Sequence, residues 1–155
     1  MTDPLDRPEL AVLERRIDEW IAELDHEYDH IVAVDRAEED IVRWYVRMRG
    51  DDKEFTTAWL TLGQRTLRYE TYVMPAPAEN AQALYENLLR RNERLVGVHF
   101  SIGEEDAVYL RGELPTDAVD KDHIDRILGT IYATVEQTFQ QLLRIGFASR
   151  FPAGG

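Results

Sequence analysis

Two histidines that stand four residues apart, His26 and His30, belong to the most specific chemical motif of the chain. The segment reads His-Glu-Tyr-Asp-His and matches the H-E-x-x-H pattern of zinc hydrolases. On a helix, histidines at this spacing share a face and can both bind one zinc ion, while the intervening glutamate activates the bound water. The context argues against this chemistry, because the motif lies where a predicted helix ends and no third ligand follows in a downstream helical motif. A zinc hydrolase is therefore the least favoured alternative, and we predict no metal site.

Acidic residues form two further clusters, at positions 104–106 and 120–125. Asp120, Asp122 and Asp125 lack the central glycine and the final glutamate that an EF-hand calcium loop requires. We expect these three residues to cap the last helix and its first turn, and the cluster at 104–106 to form a hairpin tip. The chain has no cysteine and no glycine-rich phosphate loop. The sequence thus predicts no catalytic residue and no cofactor.

Arginine and tyrosine alternate with apolar residues in the segment 41–50. Arg43, Tyr45, Arg47 and Arg49 occupy odd positions, while apolar residues occupy the even ones. Alternation of this kind is typical of a half-buried β-strand, whose successive side chains point to opposite faces of the sheet. We therefore expect these four residues to project from one face.

A second strand-like segment, 66–74, adds to the same pattern. Arg68 and Tyr72 share a parity with Glu70 there. If the two strands lie in one sheet, its face carries arginine and tyrosine, which are enriched at protein interfaces. The alternative is a solvated face on which the arginines form ion pairs with Glu70 or Glu54. We predict partner binding by a surface of six residues: Arg43, Tyr45, Arg47, Arg49, Arg68 and Tyr72.

The elements that would position these residues begin with a helix. Asp6 can cap it, Pro8 is tolerated in a first turn, and Glu9 can complete a capping box. Apolar residues then recur at steps of three and four as far as Leu24, which predicts a helix that ends within 25–29.

Strand-like segments follow at 41–48, 55–62 and 66–74, with connections too short for crossovers, whereas 31–34 fits either a short strand or a packed loop. A helix is expected over 79–92, and two strands at 96–102 and 107–113. A long apolar-faced helix then begins at Asp120 or Asp122 and ends at Gly146. The predicted fold is α+β: helix, three-stranded antiparallel meander, helix, two strands and a long C-terminal helix, with five strands in one layer.

Composition bounds the class of protein. The 155 residues predict a single domain over 1–155, with flexible ends at 1–5 and 152–155. A formal net charge of −12 argues against nucleic acid and anionic membranes as partners. Residues 1–9 lack the apolar run of a signal peptide, and no apolar run reaches the length of a membrane span. We expect a cytoplasmic protein with no membrane association.

Six sequence motifs follow one another between residues 41 and 151 and cover most of the chain. These are RWYVRMRG (43–50), AWLTLGQRTLRYETYVMPAP (58–77), LYENLLRRN (84–92), GVHFSIG (97–103), EDAVYLRGELP (105–115) and RIGFASRF (144–151). By their order and spacing the segments resemble the YbjN-domain family, which is described in terms of bacterial sensory transduction regulation.

The resemblance implies the fold of type III secretion chaperones and a cytoplasmic, non-enzymatic protein that forms a homodimer. Chaperones of this fold bind extended segments of client proteins, and the resemblance transfers no catalytic residue. We therefore predict a protein-binding or regulatory module, chaperone-like in shape, whose partner is another protein or a peptide segment. We expect its contact surfaces to be the sheet face and the last helix, where Tyr132 and Phe139 could pack against a second subunit. The alternatives are a small-ligand sensor with a pocket between sheet and helices, and the zinc hydrolase.

Overall fold

A computed structural model describes residues 3–151 and contains three α-helices, six strands and three short 3₁₀ helices in that part of the chain. In chain order the elements are α1 (Arg7–Glu27), β1 (Ile31–Arg36), β2 (Arg43–Arg49), β3 (Phe55–Leu62), β4 (Thr66–Met74), α2 (Ala81–Asn92), β5 (His99–Ile102), β6 (Val108–Pro115) and α3 (Lys121–Gly146). The six strands form one antiparallel sheet in the order β1-β2-β3-β4-β6-β5. The predicted α+β fold and the antiparallel meander are confirmed.

The structure differs from the prediction in having six strands instead of five. The segment that fitted either a strand or a loop is β1, which pairs with β2 at the edge of the sheet and contains a register shift between Ile31 and Ala33. This irregularity interrupts the alternation of buried and exposed side chains, so the sequence pattern of the strand is weak. Strand β5 is shorter than expected, and β6 continues through Pro115, two residues beyond the predicted end of the strand at 113.

Both long helices begin where the sequence predicts. The Asp6 carboxylate accepts a hydrogen bond from the Glu9 amide at 2.9 Å, and the Glu9 carboxylate accepts one from the Asp6 amide at 3.4 Å. This reciprocal pair is the predicted capping box, which satisfies amides that have no partner within the helix. Asp120 caps α3 by accepting the amide of His123 at 2.8 Å.

All three helices contribute to one hydrophobic core on the inner face of the sheet. The even-numbered side chains of β2 point into this core, and Trp44 retains only 1% exposure. Its indole N–H donates to the Asp18 carboxylate on α1 at 2.7 Å. The one polar atom of this buried ring therefore has a hydrogen-bond partner. The opposite face of the sheet carries no helix among the described residues.

The apolar face of α2 is narrower than the sequence indicates. Leu84 and Leu88 are buried, but Leu89, the next apolar residue of the helix, is 69% exposed. On α3, Tyr132 and Phe139 are half-buried against the core. These two rings therefore offer less surface to a second subunit than we expected.

The turn between β2 and β3 is fastened to α3 by one carboxylate. Glu136 accepts the amides of Asp51 and Asp52 at 2.9 Å and that of Lys53 at 3.3 Å. A Cβ atom on Gly50 would lie 2.5 Å from the Lys53 carbonyl oxygen and 2.0 Å from the Glu136 carboxylate, so this tight turn has no room for a larger residue. The carboxylate thus fixes this end of the sheet on the helical layer.

The side chain of Lys53 crosses from this turn to β4. Its Nζ donates to the carbonyls of Tyr72 at 2.8 Å and Val73 at 3.2 Å. Burial of the amine lowers the pKa of Lys53 to about 8.

The chain ends were predicted to be flexible. Residues 1–2 and 152–155 lie outside the described residues, while the Leu5 amide donates to the Gln64 carbonyl at 2.9 Å. Within residues 3–151, no helix is long and apolar enough to cross a membrane.

Candidate functional site

The candidate site is the outer face, which we define as the surface of the sheet opposite the three helices. Strand alternation places the odd-numbered residues of β2, β3 and β6, with the even-numbered residues of β4, on this surface. Its aromatic and arginine residues form what we call the arginine–aromatic cluster: Arg43, Tyr45, Arg47, Arg49, Phe55, Trp59, Arg68, Tyr72, Tyr109 and Arg111.

Register brings the members of this cluster together from distant parts of the sequence. Tyr45 lies opposite Trp59, Trp59 lies opposite Glu70, and Glu70 lies opposite Arg111. The same row continues to Asp35 on β1 and to His99 on β5. Side chains directly opposite each other on one face are in contact distance, so the row forms one continuous strip across all six strands.

Aromatic and guanidinium groups contact each other at the β2–β3 end of the cluster. The rings of Tyr45 and Trp59 meet edge to face, with centroids 5.6 Å apart. The guanidinium of Arg43 lies 5.2 Å from the Trp59 ring centroid, and its Nε donates to the Thr61 hydroxyl at 2.8 Å. The guanidinium of Arg47 lies 3.8 Å from the ring centroid of Phe55. These contacts hold the arginines against rings and leave most of their N–H donors unused.

A second group forms at the β4–β6 end. Tyr72 and Tyr109 meet edge to face with centroids 5.7 Å apart, and Arg111 lies 4.4 Å above the Tyr109 ring. Arg111 also lies 3.6 Å from the Glu70 carboxylate and donates to the Ser101 hydroxyl at 3.1 Å. Burial is the main cause that raises the pKa of Tyr72, so this ring stays a neutral phenol near neutral pH.

The charge of the outer face is opposite to that of the whole chain. Five arginines point outward on β2, β4 and β6, against three carboxylates: Asp35, Glu70 and Glu113. The formal net charge of the chain is −12. Glu70, considered above as an ion-pair partner for the predicted arginines, pairs instead with Arg111. The contacts of Arg43 and Arg47 in the described part of the chain are to rings and a hydroxyl.

All six predicted site residues lie on the outer face, namely Arg43, Tyr45, Arg47, Arg49, Arg68 and Tyr72. Their role in partner binding stays a prediction. Sequence reasoning missed Phe55, Trp59, Tyr109 and Arg111, which complete the cluster. Phe55 and Trp59 could have been found from the sequence, because they alternate with buried residues along β3. The position of Tyr109 and Arg111 depends on the pairing of β6 with β4, which the local sequence does not indicate.

The H-E-x-x-H segment does not form a single helical face. Helix α1 ends at Glu27, and the next residue, Tyr28, is extended. His30 lies beyond the helix, with its ring 4.6 Å from that of Tyr132, and the Glu27 carboxylate pairs with Lys121 at 2.6 Å. Residues 3–151 contain no group of three or more histidines and carboxylates that could hold a metal ion.

The acidic residues at the start of α3 interact within the protein. His123 donates its amide to Asp120, and this backbone bond is the largest cause that lowers the pKa of Asp120. Asp125 accepts the Tyr28 hydroxyl at 2.9 Å, and that hydrogen bond raises the pKa of Tyr28. The expected capping role of Asp120 is confirmed.

Comparison with protein families and with curated proteins gives two results. The model of the YbjN family, described as "Putative bacterial sensory transduction regulator", matches residues 15–144. An uncharacterised protein of Mycobacterium tuberculosis (strain H37Rv) is 38% identical over 104 residues, which cover 67% of this chain and 57% of that protein. An uncharacterised protein of Mycobacterium leprae is 36% identical over 109 residues, with coverages of 70% and 59%. The chain thus spans less than two thirds of the length of these relatives.

Solved structures show where the fold recurs. A chain of the ExsC–ExsE complex superposes with a TM-score of 0.60 at 16% identity, covering 84% of this chain and 96% of that chain. A chain of the ExoU–SpcU complex from the type III secretion system of Pseudomonas aeruginosa gives 0.55 at 12% identity, with coverages of 81% and 96%. A structure of the Yersinia pestis type III secretion chaperone SycH with a fragment of YscM2 gives 0.53 at 13%, with coverages of 79% and 96%. These likenesses confirm the predicted chaperone-like fold and carry no functional residue to this chain.

Proposed function

We propose that this chain, which belongs to the YbjN family, is a protein-binding regulatory module whose outer face holds an acidic, extended segment of a partner polypeptide. The single observation that carries the proposal is the arginine–aromatic cluster, a basic surface on an acidic protein. Family and fold are consistent with this role, since the fold neighbours are chains of protein–protein complexes.

The chemistry of the cluster favours a partner that carries carboxylates. Stacking of Arg43 on Trp59 and of Arg47 on Phe55 orients the guanidinium groups and leaves N–H donors for a ligand. A guanidinium group binds a carboxylate through two parallel hydrogen bonds, and a cation that is already positioned loses less entropy on binding. Arg49 and Arg68 are exposed and extend the basic surface.

The rings add an apolar component to the expected partner. Tyr72 is 41% exposed, and Tyr45, Phe55, Trp59 and Tyr109 are each half-buried by their neighbours on the face. Aromatic residues supply large contact areas at protein interfaces. In an extended chain every second side chain faces the sheet, so the residues that the partner segment turns toward the outer face should include both acidic and aliphatic or aromatic ones.

A matched pair of double variants tests the proposal. Arg47→Ser/Arg49→Ser removes two charges from the outer face, and Arg15→Ser/Arg16→Ser removes two exposed charges from α1. Each tagged protein is expressed in the source cell, and the proteins that copurify are identified by mass spectrometry. We expect the wild type and the α1 variant to retain the same acidic partner and the outer-face variant to lose it. Equal recovery of the partner by all three proteins would contradict a role of the outer face in partner binding.

The homodimer is a separate part of the proposal and stays a prediction, as does the cytoplasmic location. Light scattering after gel filtration should give twice the mass of one chain. A monomer at high protein concentration would contradict the dimer without affecting the role of the outer face.

A further inference from the structure

A second candidate site lies on the helical side of the protein, away from the outer face. The end of α2, strand β5 and the middle of α3 line an open cavity of about 470 Å³. This volume is within the range of small-molecule sites. Three arginines line it, Arg90, Arg91 and Arg94, together with one carboxylate, Glu93.

The arginines differ in how their charge is compensated. Arg90 pairs with Glu86 at 2.9 Å on the surface of α2. Arg91 donates to the side-chain oxygens of Asn87 and Gln141, which are neutral amides, at 2.6 Å and 2.5 Å. The guanidinium of Arg91 is thus held in place from two helices without a carboxylate in contact, and its remaining N–H groups are left for a ligand. Arg94 is exposed in the turn after α2.

Other hydrogen bonds fix the walls of the cavity. Asn92 binds both backbone polar groups of Phe100, accepting the amide at 2.7 Å and donating to the carbonyl at 3.1 Å. This pair locks the end of α2 to β5. On the opposite wall, the Thr138 hydroxyl donates to the Thr134 carbonyl at 2.7 Å. Because these contacts exist before any ligand binds, the site loses little conformational freedom on binding.

We propose that this cavity binds a small organic phosphate, with Arg91 and Arg94 on the phosphate and the apolar wall of Leu95 and Phe100 beside the organic group. A phosphate monoester carries close to two negative charges at neutral pH, and two guanidinium groups can bind its oxygens in parallel pairs. Glu93 is the lining group that opposes this charge, but the three lining arginines outnumber it, so the lining keeps a net positive formal charge. The proposal is independent of partner binding by the outer face. It develops the alternative of a small-ligand sensor by naming the cavity that would bind the ligand and the chemical class of that ligand.

Nuclear magnetic resonance of the side-chain Nε–H groups tests the site with inorganic phosphate. We expect saturable shifts of the Arg91 and Arg94 signals that sodium chloride at equal ionic strength does not produce. Arg94→Gln removes an exposed side chain whose loss should leave the fold intact, and we expect it to weaken phosphate binding at least tenfold. Arg15→Gln, exposed on α1 and outside both candidate sites, is the charge-matched control and should bind as the wild type does. Absence of saturable shifts, or equal binding by Arg94→Gln, would overturn the site.

Adenosine 5′-monophosphate and adenosine then test the organic part of the ligand. The apolar wall predicts that the nucleotide binds at least tenfold more tightly than inorganic phosphate, and that adenosine binds more weakly than both. If the nucleotide binds no more tightly than phosphate, the assignment to an organic phosphate is wrong.

Discussion

Each face of the sheet carries a tryptophan, and the two side chains lie in different environments. Trp44 and Trp59 lie on neighbouring strands, one residue out of step: Trp44 pairs with Leu60, and Tyr45 pairs with Trp59. Trp44 is buried beneath α1, whereas Trp59 lies on the outer face between Tyr45 and Arg43. Trp44 therefore belongs to the core, while the ring of Trp59 contacts Tyr45 and Arg43 of the neighbouring strand. Clustered apolar groups on a surface are a feature of interaction sites, so the comparison separates a residue that we expect to stabilise the core from one that we propose contacts a partner.

Alanine substitution of each tryptophan gives the largest expected difference between the faces. Trp44→Ala should lower the free energy of unfolding by ~3–5 kcal/mol, because it opens a cavity in the core. Trp59→Ala should cost only ~1 kcal/mol, since it removes one aromatic pair and one cation–π contact. Urea denaturation monitored by circular dichroism measures both. Equal losses of unfolding free energy would mean that Trp59 stabilises the fold as much as Trp44 does.

The turn between β2 and β3 provides the next comparison, since it joins the outer strands to α3. Glu136→Ala leaves the amides of Asp51, Asp52 and Lys53 without their acceptor. We expect a loss of ~1–2 kcal/mol in unfolding free energy. The adjacent exposed residue supplies the control, because Gln137→Ala should change stability by less than ~0.5 kcal/mol. A loss no greater than that of the control would show that the carboxylate does not hold the turn.

The buried amine of Lys53, in the same turn, should make the free energy of unfolding depend on pH. Its pKa is about 8 in the folded protein and near 10.5 in the unfolded chain. Between these values the unfolded state binds more protons, so stability should rise with pH, by at most ~1 kcal/mol per pH unit. The difference in unfolding free energy between wild type and Lys53→Met, measured from pH 7.5 to 10, isolates this contribution. A difference that is constant across the range would contradict the lowered pKa.

Lys121, the other lysine of the chain, is the natural contrast. Its hydrogen bonds to Glu27 and Glu23 raise the pKa of its amine. The stability that Lys121 contributes is therefore fully present below its pKa in the unfolded chain, near 10.5, and is lost only as the pH rises above that value. Lys121→Met should therefore show no change in its stability difference from pH 7.5 to 9. A change like that of Lys53→Met would point to a general effect of pH.

Outer-face arginines should have the smallest effect on stability. Arg47→Gln and Arg49→Gln remove exposed charges from a surface on which no helix packs among the described residues. We expect each to change the free energy of unfolding by no more than ~0.5 kcal/mol. Thermal denaturation checks this result, and a larger loss would assign these arginines to the scaffold.

Local patterns predicted the parts of the structure that depend on neighbours in sequence. The capping box at Asp6 and Glu9 set the start of α1, and alternation placed Arg43, Tyr45 and Arg47 on one face. The sequence of β1 fits either a strand or a loop, because the register shift interrupts the alternation of buried and exposed side chains. The pairing of β4 with β6 was not predicted, since α2 and β5 intervene in the chain. The contact of Tyr72 with Tyr109 and the arginine-lined cavity were therefore beyond the sequence pattern.

Photo-crosslinking from the two faces tests the central claim most directly. A benzophenone side chain is placed at Thr57, in the middle of the outer face, or at Glu19, exposed on α1, and the protein is irradiated in its source cell. We predict crosslinks from position 57 to a partner segment rich in carboxylates and apolar residues, and none to that segment from position 19. Crosslinks to the same segment from position 19 alone, or none from position 57, would contradict the assignment of the outer face.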